Sequence, residues 1–147
     1  MTDRDAFFAE PHIAVLATIR KDGRPHVGPV WYLYEDGVFL VSVLKDSSKP
    51  RQVARDPRVS LVIDRRERPY LAVTVEGTAT VEGPMSLAQR IRLATRYLGD
   101  VEGPRYATER PPALTQTLRI VPERFFEFGH VSDDPTKYRQ GWVEVGS

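Results

Sequence analysis

The sequence contains no cysteine, which excludes disulfides, thiolate metal sites and cysteine nucleophiles. It has almost no net charge: 21 lysines and arginines against 20 acidic residues leave +1. No bulk field therefore draws it to nucleic acid or to an anionic membrane. No apolar run approaches the ~18–20 residues that span a bilayer. The opening MTDRDAFFAEP is acidic and polar, not a basic segment followed by an apolar one, so the chain reads as cytoplasmic. Only three histidines occur, His12, His26 and His130, and their spacing fits no metal-ligand pattern. Nucleophile elbow, Walker loop and GxGxxG fingerprint are all missing, so no nicotinamide is bound by a Rossmann domain.

What remains is an ordinary globular composition in 147 residues, 41% hydrophobic and 28% charged, enough for one domain with a real core. Residues 3–9 read as a short helix ended by Pro11. Ile13, Val15, Ala17 and Ile19 alternate over 12–20, and Asp22-Gly23 signals a hairpin. A second strand is expected over 25–34, Asp36-Gly37 signals another turn, and 38–44 forms a third strand. A short helix opens at Ser48, with Pro50 in its first turn, and Asp56-Pro57 ends it. A fourth strand follows over 59–64 and a fifth, the longest, over 70–82. In the fifth, Leu71, Val73, Val75, Gly77, Ala79 and Val81 share one face, with Gly77 marking a bulge or a close backbone approach. Thr74, Thr78 and Thr80, with Glu76 and Glu82, form a polar face that reads as solvated.

Ser86 caps a helix to Leu98 with an apolar stripe of Leu87, Ile91, Ala94 and Leu98, stopped at Gly99. Residues 103–112 read as a loop, with a helical turn as the alternative, 114–121 as the sixth strand, and Pro122-Glu123-Arg124 as a turn before Phe125, Phe126 and Phe128. The pattern is mainly β with short helices: a six-stranded antiparallel split β-barrel, with an open sandwich as the alternative. One domain spans 1–147, its core at about 8–128.

The segment Ser47-Ser48-Lys49-Pro50-Arg51 carries the most chemistry. It sets two hydroxyls, an ammonium and a guanidinium where a helix begins, and a helix N-terminus offers free N–H groups and a positive dipole end to an anion such as phosphate. Lys49 and Arg51 are suited to charge-assisted binding of a phosphate ester, although basic pairs are more often solvated. Gly28-Pro29-Val30-Trp31, read on its residues alone, is a distorted edge strand with Trp31 in the core. His26 is a proton-donor candidate by proximity. Tyr32, Tyr34 and Tyr70 suit a pocket wall but more often pack.

The order HIAVLATIRKDGRPHVGPVWYLYEDGVFLV, then SSKPRQVARDPRVSLVID, then YLAVTVEGTATV resembles the split-barrel flavin and deazaflavin oxidoreductases, the superfamily of pyridoxamine-phosphate oxidase. The blocks DGRPHVGPVWY and KPRQVARDPRVSL are most similar to its branch that uses the deazaflavin F420. The resemblance implies a homodimer with cofactor grooves at the interface. It implies that Gly28, Pro29, Val30 and Trp31 run along a tricyclic ring, and that Ser42 with Ser47, Ser48, Lys49 and Arg51 holds a phosphate. The oxidases' Ser-Arg-Lys loop is Ser47-Ser48-Lys49 here, with Arg51 as the compensating charge. Their second strand ends in lysine where this chain has Trp31, and their C-terminal arginine and tryptophan block has no match around Arg139 and Trp142. Pyridoxamine phosphate is thus not the expected substrate.

The implied activity is a reductase in which F420 passes a hydride to an electron-poor small molecule. FMN is the alternative cofactor, since both carry a ribityl phosphate. F420 adds an acidic tail, for which Arg55, Arg58, Arg90, Arg92 and Arg96 are candidate partners. A non-enzymatic carrier, or a haem-binding or cofactor-free split barrel, is the third reading.

Overall fold

A computed structural model describes residues 3–68, 70–129 and 142–146. Three α-helices and eight strands are present among them: α1 (Asp3–Ala9), β1 (Ala14–Ile19), β2 (Pro25–Val30), β3 (Leu33–Glu35), β4 (Val38–Leu44), α2 (Ser48–Arg55), β5 (Arg58–Arg65), β6 (Leu71–Glu82), α3 (Leu87–Glu109), β7 (Thr115–Gly129) and β8 (Val143–Val145). The strands join antiparallel in the order β2-β1-β5-β6-β7-β4-β3, with β8 added to β7. β2 and β3 are the two ends of this path and are consecutive in the chain. The expected strand over 25–34 is therefore interrupted at Trp31-Tyr32: its first half pairs with β1 and its second with β4. Counted as one broken strand, it gives the six of a split barrel, and the break is where the curled sheet opens.

Alternation makes the core. Every second residue of β1, β5 and β6 is buried, and these side chains meet Phe7 and Phe8 of α1, which are 2% and 0% exposed. Asp36-Gly37 takes two positive φ angles, 51° and 77°, the type I′ geometry that suits a two-residue hairpin. Gly23 takes a positive φ in the other hairpin. Gly77 fulfils both readings of its position. The β6–β7 register slips between Glu76 and Gly77, and a Cβ on Gly77 would lie 2.4 Å from the Val121 carbonyl oxygen.

Two expectations are corrected here. Residues 122–124 do not turn the chain; β7 runs unbroken from Thr115 to Gly129. Glu76 pairs with Arg124 and Gly77 with Pro122, so Glu123 is the extra residue of the bulge, and a bulge tolerates the N–H that Pro122 lacks. Residues 103–109 are helix, not loop. Gly99, at φ 89°, breaks α3 as expected of a stop, but the helix resumes after it.

The two halves of α3 fold against each other. A Cβ on Gly103 would meet the Cα of Thr95 at 2.4 Å, and Arg90 Nη1 donates to the carbonyl of Arg110 at 3.4 Å. The buried face is consequently Leu93, Ala94, Gly103 and Ala107, while Leu87 and Leu98 of the expected stripe are 48% and 38% exposed. The start of α3 is as expected: Ser86 and Gln89 form a reciprocal capping box.

A buried polar knot seats α2. The Gln52 side-chain carbonyl accepts from Thr18 Oγ1 at 2.5 Å and lies 3.1 Å from His26 Nδ1. Tyr32, fully buried, donates its hydroxyl to the Phe8 carbonyl at 2.9 Å. Tyr34 donates to Asp5 at 2.5 Å. Both tyrosines tie α1 to the strand break and pack in the core. Burial pushes the Tyr32 phenol well above its ordinary value, and burial followed by the Asp5 hydrogen bond pushes Tyr34 up to about 12.

Gly77→Ala should destabilise the fold by about 1–3 kcal/mol, the usual cost of overpacking against backbone, read as a shifted urea midpoint with unchanged slope. A second expectation concerns alkali. Folded Tyr32 holds its proton to higher pH than the unfolded chain, whose phenols titrate near 10. Its contribution is complete below about pH 10 and is lost as pH rises from there through the higher folded value. Tyr32→Phe should lose about 1 kcal/mol near neutrality, one buried hydrogen bond, and show a shallower loss of stability above pH 10 in the same urea titrations.

Candidate functional site

The strand break, the start of α2 and the α3 hairpin enclose one groove of about 360 Å³, within the ~300–1,000 Å³ typical of small-molecule sites. Pro29 and Val30 of β2, with Trp31 after it, line it beside Ser42 of β4, Ser47 and Lys49. These are six of the nine positions singled out in the sequence. The opposite wall comes from α3 and the segment after it, including Arg90, Leu93, Tyr106 and Arg110.

Gly28 belongs to the same neighbourhood: a Cβ there would lie 3.7 Å from Lys49 Nζ, so the ammonium lies over the β2 backbone. Lys49 has no carboxylate partner among the described residues. Ser47 sits at the N-cap of α2 but does not cap it. Its hydroxyl donates instead to the Leu44 carbonyl at 2.6 Å. The first-turn N–H groups of α2 thus have no side-chain cap, and the positive end of the helix is left to an anion. Ser48 and Arg51 are not among the groove-lining side chains. Arg51 is exposed and lies two positions beyond Lys49, about 200° around the helix at 3.6 residues per turn. Closeness in the sequence therefore does not put the two on one face of the helix.

Trp31 is held, but not in the main core. Its indole stacks on the Tyr97 ring at 4.8 Å and 13° between planes, and lies 5.9 Å from Tyr106. The Tyr97 hydroxyl accepts from the Tyr32 backbone N–H at 3.2 Å and lies 2.8 Å from the His12 carbonyl, to which it donates. One side chain of α3 therefore replaces the pairing that the strand gives up at its break. β2 lies at one end of the sheet path, as its proline required.

Among the described residues, no aspartate, glutamate or histidine lines the groove. His26 binds Gln52 behind α2, and His12 pairs with Glu10 at 2.7 Å. His130 and Arg139 lie outside the described residues. Tyr70 is exposed and Trp142 packs on Phe128. On the polar β6 face Thr74, Glu76 and Thr78 are half-buried and Thr80 and Glu82 exposed; Glu76 reaches Arg124 at 3.6 Å and Thr78 bonds Glu123. The groove can bind, orient and electrostatically hold a ligand, but its described lining carries no general base.

Of the five arginines proposed as extra charge, only Arg90 lines the groove. Arg58 is paired with Asp56, Arg92 with Glu35, and Arg96 donates to the carbonyls of Phe8, Ala9 and Glu10 at the end of α1. Arg55 is exposed elsewhere. Arg110 and Tyr106 escape a sequence reading because their segment reads as loop. The available signal was the Gly103-to-Ala107 spacing of small residues, which marks one helical face.

Comparison with known proteins agrees with this architecture. An F420H(2)-dependent biliverdin reductase of Mycobacterium tuberculosis is 27% identical over 122 residues, covering 83% of each chain. A solved structure described as an F420 reductase superposes with a TM-score of 0.71 at 23% identity, covering 85% of this chain and 97% of that one. A conserved hypothetical protein from Mycobacterium tuberculosis gives the same TM-score at 26% identity, covering 89% and 86%. Among the described residues no helix is long and apolar enough to cross a membrane. Residues 3–129 match the family described as pyridoxamine 5'-phosphate oxidase, nearly the whole barrel, and the chain belongs to that family.

Proposed function

We propose that this protein is an oxidoreductase that binds the deazaflavin F420 in the groove and reduces an electron-poor small molecule. The observation that carries this reading is the Lys49 ammonium, without a carboxylate partner among the described residues, placed over β2 at the uncapped start of α2 and beside the apolar surface of Val30, Trp31 and Leu93. That arrangement suits a flat ring with a phosphate on its side chain. The relative named as F420H(2)-dependent supports the choice of deazaflavin. When bound, reduced F420 supplies a hydride. The chain's own residues hold and orient. Lys49, Ser47 and the first turn of α2 take the phosphate, with Ser42 on the neighbouring strand. The backbone of Gly28 to Trp31, freed from pairing on one side, runs along the ring, and Trp31 and Tyr106 shield it from water. Ser48 and Arg51, outside the groove lining, take no direct part in this grip. Solvent supplies the proton. FMN, which carries the same ribityl phosphate, is the second reading.

We also propose a homodimer that closes the groove. Leu44 at 49% and Tyr106 at 40% exposure line it, and Leu87, Val101 and Leu114 lie exposed on the neighbouring elements, an apolar rim that a second copy would cover. Light scattering should give twice the 16.7 kDa chain mass; a monomer at micromolar concentration removes the shared-groove arrangement.

Fluorescence titrations of cofactor-stripped protein with F420 and with FMN test the main reading. Tight F420 and weak FMN binding is expected, and Lys49→Ala should weaken F420 binding by about 1.5–3 kcal/mol, the scale of a charged hydrogen bond. Preference for FMN moves the protein to flavin chemistry. Binding of neither points to the haem-binding or cofactor-free alternatives, and unchanged affinity of the variant removes the phosphate assignment.

A further inference from the structure

One polar side chain holds α2 against the sheet. Gln52 is 6% exposed and Thr18 1%. The Gln52 side-chain carbonyl takes hydrogen bonds from Thr18 Oγ1 at 2.5 Å and from His26 Nδ1 at 3.1 Å. An amide oxygen has two lone pairs, so both are used and the side chain is fixed in direction as well as depth. Thr18 and His26 are register partners on β1 and β2, and the knot therefore ties the helix to both strands at one point.

Lys49 stands three residues before Gln52, on the same helix face. Gly28 stands two residues after His26, on the same strand face. The Lys49 ammonium lies 3.7 Å from where a Cβ on Gly28 would be. Two points on one face of α2 thus meet two points on one face of β2, and the hydrogen bonds are at the Gln52 point. Lys49 reaches its place on a flexible four-carbon stem. Little else fixes the rotation of so short a helix. Ser47 bonds Leu44 instead of capping it, no acidic residue stands in its first turn, and Arg51, Ala54 and Arg55 face solvent. Leucine at position 52 would bury more apolar surface but would fix no orientation.

We infer that Gln52, bonded by Thr18 and His26, is a positioning residue for anion binding: it sets the rotation of α2 and so holds Lys49 over β2, where the ammonium meets the cofactor's phosphate. This rests on the reading of Lys49 as a phosphate ligand. Gln52 itself does not line the groove. Its effect on binding passes through Lys49 and the helix start, not through the ring.

The test is a double-mutant cycle in binding. The probes are the deazaflavin riboside and its 5′-phosphate, titrated by fluorescence, and the ratio of their affinities isolates the phosphate. Riboflavin and FMN give the same ratio if the protein prefers a flavin. Proteins compared are wild type, K49A, Q52L, T18V and the doubles of K49A with each of the last two, all checked by melting temperature. In the wild-type background K49A should reduce the ratio about tenfold or more. In the Q52L background it should change the ratio by no more than about twofold, because Lys49 no longer meets the phosphate. Riboside affinity should stay within about twofold of wild type throughout, which a residue that merely stabilised the groove would not give. T18V removes one of the two donors and keeps the side-chain shape. There the effect of K49A should fall to about threefold, and T18V decides by the same comparison if Q52L does not fold. An equal effect of K49A in every background overturns the positioning role and leaves the phosphate assignment intact. Riboside affinity that falls in step with that of its phosphate in Q52L assigns Gln52 to general stability and likewise overturns the role. A ratio that K49A leaves unchanged in the wild-type background overturns the phosphate assignment and the inference with it.

Discussion

The hydroxyl of Tyr97 is the contact on which the arrangement turns. A barrel strand that stops pairing exposes N–H and C=O groups, and buried groups of that kind must find partners. Here the interruption falls at Trp31-Tyr32, and a side chain from α3 supplies the partner: the Tyr97 hydroxyl accepts from the Tyr32 N–H and donates its one proton to the His12 carbonyl, with the Tyr32 carbonyl 3.3 Å away. The same ring carries Trp31 flat upon it. Breaking the strand opens the barrel into a groove, and the residue that makes the break tolerable also forms the groove's aromatic wall. Arg96, one residue earlier, places its guanidinium over the Tyr32 ring at 4.6 Å and satisfies the carbonyls that end α1. One turn of α3 thus joins the helix, the break and the N-terminal segment.

The second wall depends on a different device. α2 is only 8 residues long, SKPRQVAR, and Val53 is its one large aliphatic side chain, so apolar burial alone is too weak to orient it. Gln52 does so, buried at 6% exposure with Thr18 and His26 around its amide. Such a knot is rigid when its members are satisfied. Rotation of α2 would take Lys49 off Gly28 and bring Arg51 in, so the knot decides which of the two cations faces the groove.

Much of this was legible in the sequence because the signals are local. Alternation over 14–19 and 71–82 needs only a period of two, Asp36-Gly37 needs only a turn with two positive φ angles, and Ser86 with Gln89 is a local cap. That Pro29 to Trp31, Ser42, Ser47 and Lys49 share one groove was legible for the same reason, since a strand, a turn and a helix start close together in the chain supply them. The failures are tertiary. A bulge places Pro122 inside a long strand, against its local preference. The α3 hairpin is fixed by Gly103 packing on Thr95; the Gly103-to-Ala107 spacing marks a helical face but does not say what that face packs against. Arg110 and Tyr106 were therefore invisible as groove residues. Trp31 reads as a core residue in the sequence because its stacking partner, Tyr97, comes from a helix far along the chain.

The lining of the groove bears on the chemistry itself. Lys49, Arg90, Arg110 and Tyr106 are its ionisable groups among the described residues, and none of them is a carboxylate or an imidazole. The carboxylates and imidazoles that most often serve as general acid or base are thus missing from this described lining. Hydride transfer does not demand them, because the cofactor carries the reactivity and the protein contributes position and charge. The polar groups present are those that grip anions, and they sit on two separate elements at the groove's edge. The apolar surface between them, Val30, Trp31 and Leu93, is what a flat conjugated ring would cover. Binding by its ends and shielding of its middle is the work this lining can do, and it is the work that a hydride carrier requires of its protein.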